Sequence, residues 1–173
     1  ADYGVEVRRV LTGFKFIGEQ IGFLEAKGEE SRYIFGFEES YGYLSGGHVR
    51  DKDGVNASLL ICEMFAHYKA KGLSLVDVLD SLYKKYGYFK EALQSITFEG
   101  ASGAKKMAEL MDTLRKNPPA EIAGFKLEGV KDYKEGVGDL PKSNVLEFNM
   151  ENDVNVLVRP SGTEPKIKMY YLV

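Results

Sequence analysis

Cysteine and histidine are scarce in this sequence, neither sign of charge dominates it, and it has no long apolar run. Each lack closes off a class of explanation. The 173 residues hold one cysteine and two histidines. Cys62 sits inside an apolar helical pattern, so it is expected to pack in a core in a reducing compartment and not to act as a ligand or nucleophile. His67, in the same stretch, is expected to be structural or at the surface. With 23 Lys and Arg against 26 Asp and Glu, the net charge is −3 and the pI about 5.5. That argues against a broad nucleic-acid or anionic-membrane surface, so any anion site must be local. No apolar run approaches the roughly 20 residues that cross a bilayer. The N-terminus carries no basic-then-apolar export pattern. Neither a Walker A nor a Gly-x-Gly-x-x-Gly motif occurs in a suitable context. A cytoplasmic location is the expectation.

What is present is an ordinary globular composition, 44% hydrophobic and 28% charged, which leaves one or two domains open. The chain starts at Ala1-Asp2-Tyr3 without an initiator methionine, a hint of a longer parent. Val5–Val10 partly alternates and reads as a strand. Phe14, Ile17, Ile21 and Leu24 recur at helical spacing, and Arg32–Phe37 reads as a second strand. Strand, helix, strand at this spacing predicts a parallel βαβ unit. Ligands of such sheets sit beyond the carboxyl ends of the strands, which would bring Lys15 and the Glu38-Glu39-Ser40 segment to one edge. Helices are expected over 55–71 and 75–86, the second capped by Ser74. The join between domains is expected near Tyr88–Ala92. Beyond it come a strand (94–98), a helix opened by Ser102, a strand (122–127), an unassigned stretch (128–143), a hairpin through Glu151-Asn152-Asp153, and a last strand (166–173).

Two loops concentrate the chemistry. Gly36–Gly54 contains glutamates and aspartates, serines, a histidine, an arginine and a lysine among five glycines. Carboxylates accept from sugar hydroxyls and serine both gives and accepts, so this composition suits a polyhydroxylated ligand. Adjacent Glu38 and Glu39 point to opposite faces of an extended segment and do not suit a glycosidase pair, which needs carboxyl groups about 5–9.5 Å apart across one bond. Asp51-Lys52-Asp53-Gly54 is not a calcium loop, because its glycine comes too early and Cys62 stands where the bidentate glutamate belongs. The second loop, Arg159–Pro165, offers a guanidinium, the hydroxyls of Ser161 and Thr163, and Gly162, with Lys166 and Lys168 nearby. These groups suit a phosphate, although a plain hairpin loop would have similar turn formers.

The segment Phe37-Glu38-Glu39-Ser40-Tyr41-Gly42, followed by Gly47-His48-Val49-Arg50-Asp51-Lys52-Asp53-Gly54, resembles the sugar-binding loop of the alpha-D-phosphohexomutases (phosphoglucomutase/phosphomannomutase), the phosphoglucomutase branch most closely. Arg159–Lys166 is similar to that family's C-terminal phosphate loop, and Thr12-Gly13-Phe14-Lys15 to its third-domain lysine segment. The resemblance implies a partial α/β third domain over 1–90 (a parallel βαβ sheet with helices) and an α+β fourth domain over 91–173 (a mostly antiparallel sheet with helix). It implies that Glu38 and Ser40 bind sugar hydroxyls, that Lys15, His48 and Lys52 line the site, and that Arg159, Ser161, Gly162 and Thr163, aided by Lys168, hold the phosphate not being transferred. Family members move a phosphoryl group between the 1- and 6-positions of a hexose phosphate, using Mg²⁺, a phosphoserine and glucose 1,6-bisphosphate as intermediate. The family's Ser-His-Asn-Pro type nucleophile loop and Asp-Gly-Asp magnesium run are both absent here. The expectation is therefore a C-terminal fragment that needs the enzyme's N-terminal domains, holds no metal itself and is inactive alone. A stand-alone sugar-phosphate binding module is the alternative. Neither reading calls for nucleic acid or a membrane, and neither fixes the choice among glucose, mannose and pentose phosphates.

Overall fold

The computed structural model of the protein describes residues 2–100, 102–162 and 164–173. The chain forms two compact units, one running to Tyr86 and the other starting at Gly87.

The first unit contains helix α1 (Phe14–Glu25), strands β1 (Phe35–Glu38) and β2 (Gly42–Ser45), and helices α2 (Gly54–Ala70) and α3 (Leu75–Tyr86). The apolar stripe of α1 supplies its core: Phe14, Ile17 and Ile21 pack with Leu44 of β2, flanked by Val10 and Tyr33. Tyr33 donates its hydroxyl to the Leu44 carbonyl at 3.1 Å, fixing the hairpin to that core. Gly36 permits this approach, because a Cβ there would meet Tyr33 Oη at 2.4 Å and Ile17 Cγ2 at 2.6 Å. Helix α3 opens on a reciprocal capping box. Asp77 N donates to Ser74 Oγ at 3.1 Å, and Ser74 N donates to Asp77 Oδ2 at 2.8 Å.

Three expectations for this unit are corrected. No parallel βαβ pair occurs among the described residues: β1 and β2 are antiparallel, paired from Phe35↔Ser45 to Glu38↔Gly42. The three residues between them, Glu39–Tyr41, are too few for the crossover that a parallel pair requires. Residues 5–10 form no strand, and Val5 and Val7 stay exposed. Alternation alone makes no strand without a neighbouring ladder to receive its hydrogen bonds. Nor is Cys62 in a core. It is exposed, as are Val55, Leu59, Ile61 and Phe65 on α2 and Val76, Leu79 and Leu82 on α3. The stripes exist, but no described element of this unit covers them.

The second unit is a six-stranded sheet in the order β3-β8-β7-β6-β5-β4, with every adjacent pair antiparallel. Its strands are β3 (Glu91–Thr97), β4 (Glu121–Ile122), β5 (Phe125–Asp132), β6 (Leu146–Met150), β7 (Asn155–Pro160) and β8 (Lys166–Leu172). Helix α4 (Gly103–Lys116) lies over one face, and Met111 packs among Leu146, Phe148, Met150, Val156, Val158 and Ile167. Strict alternation in β6 and β7 puts Leu146, Phe148, Met150, Val156 and Val158 on one side. Residues 122–127, expected as one strand, form a tight hairpin. Ala123 and Gly124 both have positive φ, 52° and 90°, which turns β4 back along β5. β5 then continues to Asp132, through part of the stretch that periodicity left unassigned.

Candidate functional site

Glu38 ends β1 with its side chain largely covered, while Glu39 beside it is exposed, as alternation requires. Lys52 reaches back from the loop before α2 and sets its ammonium 3.4 Å from Glu38 Oε1 and 3.4 Å from Asp51 Oδ1. It also lies 5.4 Å from the centre of the Phe14 ring. Burial alone would lower the Lys52 pKa, but the Glu38 and Asp51 carboxylates outweigh it and raise the value above the usual one. Gly42 makes the Glu38–Lys52 approach possible: a Cβ there would meet Lys52 Cδ at 2.5 Å and Glu38 Cγ at 2.9 Å.

Asp53 joins three parts of the loop. Its backbone N–H donates to the Tyr43 carbonyl of β2 at 2.9 Å. Its Oδ1 caps α2, accepting from Val55 N and Asn56 N at 3.0 Å each. Its Oδ2 lies 2.8 Å from His48 Nε2. The Asn56 N–H and the His48 ring hold the Asp53 carboxyl below its ordinary range. Between His48 and Lys52, Arg50 bonds the Gly47 carbonyl and, at 2.9 Å, Glu25 Oε2 of α1.

Glu38, Lys52 and His48 are thus ordered by one hairpin and one helix start. Ser40 is at the exposed hairpin tip, its hydroxyl donating to Glu39 Oε1 at 3.3 Å. Lys15, at the start of α1, extends over the Phe16 ring at 4.8 Å and has no ion pair among the described residues. Sequence reasoning passed over Gly42 and Asp53. The signal for Asp53 was available: an aspartate directly before an apolar-striped helix is a cap.

In the second unit, Arg159 near the end of β7 stands directly opposite Lys168 of β8, so the two cations share one face of the sheet. The loop after β7 is closed by the Ser161 N–H donating to the Lys166 carbonyl at 2.8 Å. Ser161 and Gly162 border a cleft of about 300 Å³ that is also lined by Met107, Ala108 and Met111 of α4, Asn144 and Pro160. Thr163 lies outside the described residues. Helix α4 starts hard against this loop: a Cβ on Gly103 would meet the Phe98 carbonyl oxygen at 2.3 Å and Pro165 Cβ at 3.2 Å. Lys166 Nζ pairs with Glu164 Oε2 at 2.5 Å and so is partly neutralised.

Among the described residues no group of three or more His, Cys, Asp and Glu side chains is arranged to hold a metal ion. The acids of the Gly36–Gly54 loop are already engaged, Glu38 with Lys52 and Asp53 with the helix start and His48. They do not make a donor set for Mg²⁺. No described helix is long and apolar enough to cross a membrane.

The family model described as phosphoglucomutase/phosphomannomutase, alpha/beta/alpha domain III, matches residues 1–86. The phosphoglucomutase of Staphylococcus aureus strain MRSA252 is 42% identical over 96% of this chain. The chain belongs to the phosphohexomutase superfamily. Another phosphohexomutase relative, the phosphoglucomutase of S. aureus strain N315, is also 42% identical over 96% of the chain. A solved phosphohexomutase structure, the open form of the exocytosis-sensitive phosphoprotein parafusin (a phosphoglucomutase) from Paramecium, matches with a TM-score of 0.61 and 25% identity. That match covers 93% of this chain and 28% of the other. This phosphohexomutase chain spans 31% of the length of the curated relatives it matches.

Proposed function

We propose that this chain is the substrate-holding, C-terminal portion of a phosphoglucomutase/phosphomannomutase acting on hexose phosphates in the cytoplasm. The first unit is the remainder of the third domain and the second is the fourth domain. The observation that carries this reading is the Glu38–Lys52 pair, built across Gly42 in the loop that resembles the family's sugar-binding motif.

In this reading Glu38 accepts hydrogen bonds from sugar hydroxyls, Lys52 donates to a neighbouring oxygen, and His48 lines the site. Ser40 adds a hydroxyl from the hairpin tip, and Lys15 reaches the site from α1. Arg159 and Lys168 supply the charge for the phosphate that is not transferred. The Ser161 hydroxyl, the Gly162 N–H and Thr163 complete that clamp. Such a clamp fixes the reacting end of the substrate by holding the far end. Mg²⁺ and the phosphoserine belong to domains outside this sequence, which has neither a Ser-His-Asn-Pro nor an Asp-Gly-Asp run, and glucose 1,6-bisphosphate is the intermediate of the transfer. The exposed apolar faces of α2 and α3 are surface that those partner domains would cover.

Titrating the purified chain with glucose 1-phosphate while following the amide signals of residues 36–54 and 159–168 tests the reading. Millimolar binding that moves both groups is expected, with no formation of glucose 6-phosphate. Unchanged signals at tens of millimolar, or turnover by the chain alone, would refute it.

A further inference from the structure

We propose that Asp53 is the positioning residue of this site: it fixes the ring state of His48, so that Nδ1 is the nitrogen offered to a bound hexose phosphate. The inference rests on the sugar-phosphate reading above and goes beyond it to a residue which that reading does not use.

A helix cap needs a single acceptor oxygen, and serine or asparagine serves as well as aspartate. Asp53 uses Oδ1 for both cap bonds, at 3.0 Å to Val55 N and 3.0 Å to Asn56 N, and has a second oxygen to spare. That oxygen lies 2.8 Å from His48 Nε2. An ionised carboxylate only accepts, so Nε2 must carry the proton. Nδ1 then keeps its lone pair when the ring is neutral and carries a second proton when the ring is charged.

The chain around the ring is immobilised from the other side. Arg50 is tied to the Gly47 carbonyl and to Glu25 Oε2. The Arg50 carbonyl rests against α1 at Gly18, where an added Cβ would sit 2.5 Å from it. Asp53 itself is anchored to β2 through Tyr43. With both ends of the segment held, the remaining freedom is the orientation of the imidazole, and Asp53 removes it. The neighbouring residue, Lys52, is held by Glu38 in the same way.

Only two histidines are present, and His67 serves as internal reference. Long-range ¹H–¹⁵N spectra of the chain should show His48 with Nε2 protonated. Asp53→Asn keeps the cap, but its carboxamide can donate to Nε2. The His48 signals should therefore move toward the Nδ1–H form, while His67 and the helical circular dichroism stay unchanged. Asp53→Ser, a cap without a second arm, should release the His48 ring to average. In glucose 1-phosphate titrations Asp53→Asn should raise Kd by up to about tenfold, the weight of one hydrogen bond. Adding His48→Phe should raise it no further. Unchanged His48 nitrogens in Asp53→Asn, or affinity losses that simply add, would overturn the proposal. Loss of α2 helicity in both variants would make Asp53 a cap and nothing more. If the unaltered chain fails to bind glucose 1-phosphate, the sugar-phosphate reading falls, and the imidazole signals alone still decide whether Asp53 governs His48.

Discussion

Lys52 Nζ and Glu38 Oε1 stand 3.4 Å apart, and the space for their meeting exists because residue 42 has no side chain. The pair joins the end of a strand to a loop 14 positions later and leaves each partner with hydrogen-bonding capacity to spare.

Gly42→Ala should therefore act on binding more than on folding. The new methyl would meet Lys52 Cδ and Glu38 Cγ, which are side-chain atoms able to move aside. We expect glucose 1-phosphate affinity to fall several-fold with a small change in Tm. Calorimetric melting and an NMR titration of one sample separate the two effects.

Gly103→Ala should do the reverse. Its methyl would meet the Phe98 carbonyl oxygen at 2.3 Å, a backbone atom that cannot swing away. Overpacking of this kind costs about 1–3 kcal/mol, and urea unfolding followed on residues of the second unit would show it. Phe148→Ala, at a side chain 1% exposed in the same unit, should cost about 3–5 kcal/mol.

Arg159→Ala should raise the Kd for inorganic phosphate at least about tenfold, the lower range for a charge-assisted hydrogen bond. Arg159→Lys should recover little of this, because a lysine has no planar fork to span two phosphate oxygens. Equal affinity for all three chains would show that Arg159 only braces the sheet opposite Lys168.

Glu147 sets an acid limit on the second unit. Burial would raise its pKa, but bonds from Lys131 (2.7 Å), Tyr133 (2.5 Å) and Asn149 (2.8 Å) outweigh burial and hold it below its usual 4.5. Its pKa is lower folded than unfolded, so the unfolded chain binds the proton first. The stabilisation is fully present above the unfolded value and is lost as pH falls through the folded one. Urea midpoints of the second unit should drop as pH is lowered from about 5 to about 3, and Glu147→Gln should flatten that drop. Asp53, held below its usual 3.8, predicts a parallel loss of α2 capping in the same acid range, read from its carboxyl ¹³C titration.

The order of helices and most strands was legible because the determining signals are local. The α1 stripe, the Ser74 cap and the alternation in β6 and β7 all lie within a few neighbouring residues. The three motif segments were legible for the same reason, since residue types at fixed spacing are properties of the string. The Ala123-Gly124 turn was missed because an Ala-Gly pair is a weak turn signal, and only the pairing of Ile122 with Phe125 reveals it.

By itself, then, the sequence determined the element types, the chemical character of the two loops and the family. Only the tertiary structure decided that β1 pairs with β2, that Val5–Val10 has no ladder, that the apolar faces of α2 and α3 are bare, and that Asp53 serves a helix and a histidine at once. Backbone preference is set by adjacent residues. Burial and pairing are set by whatever the folded chain brings alongside, and no window of sequence contains that neighbour.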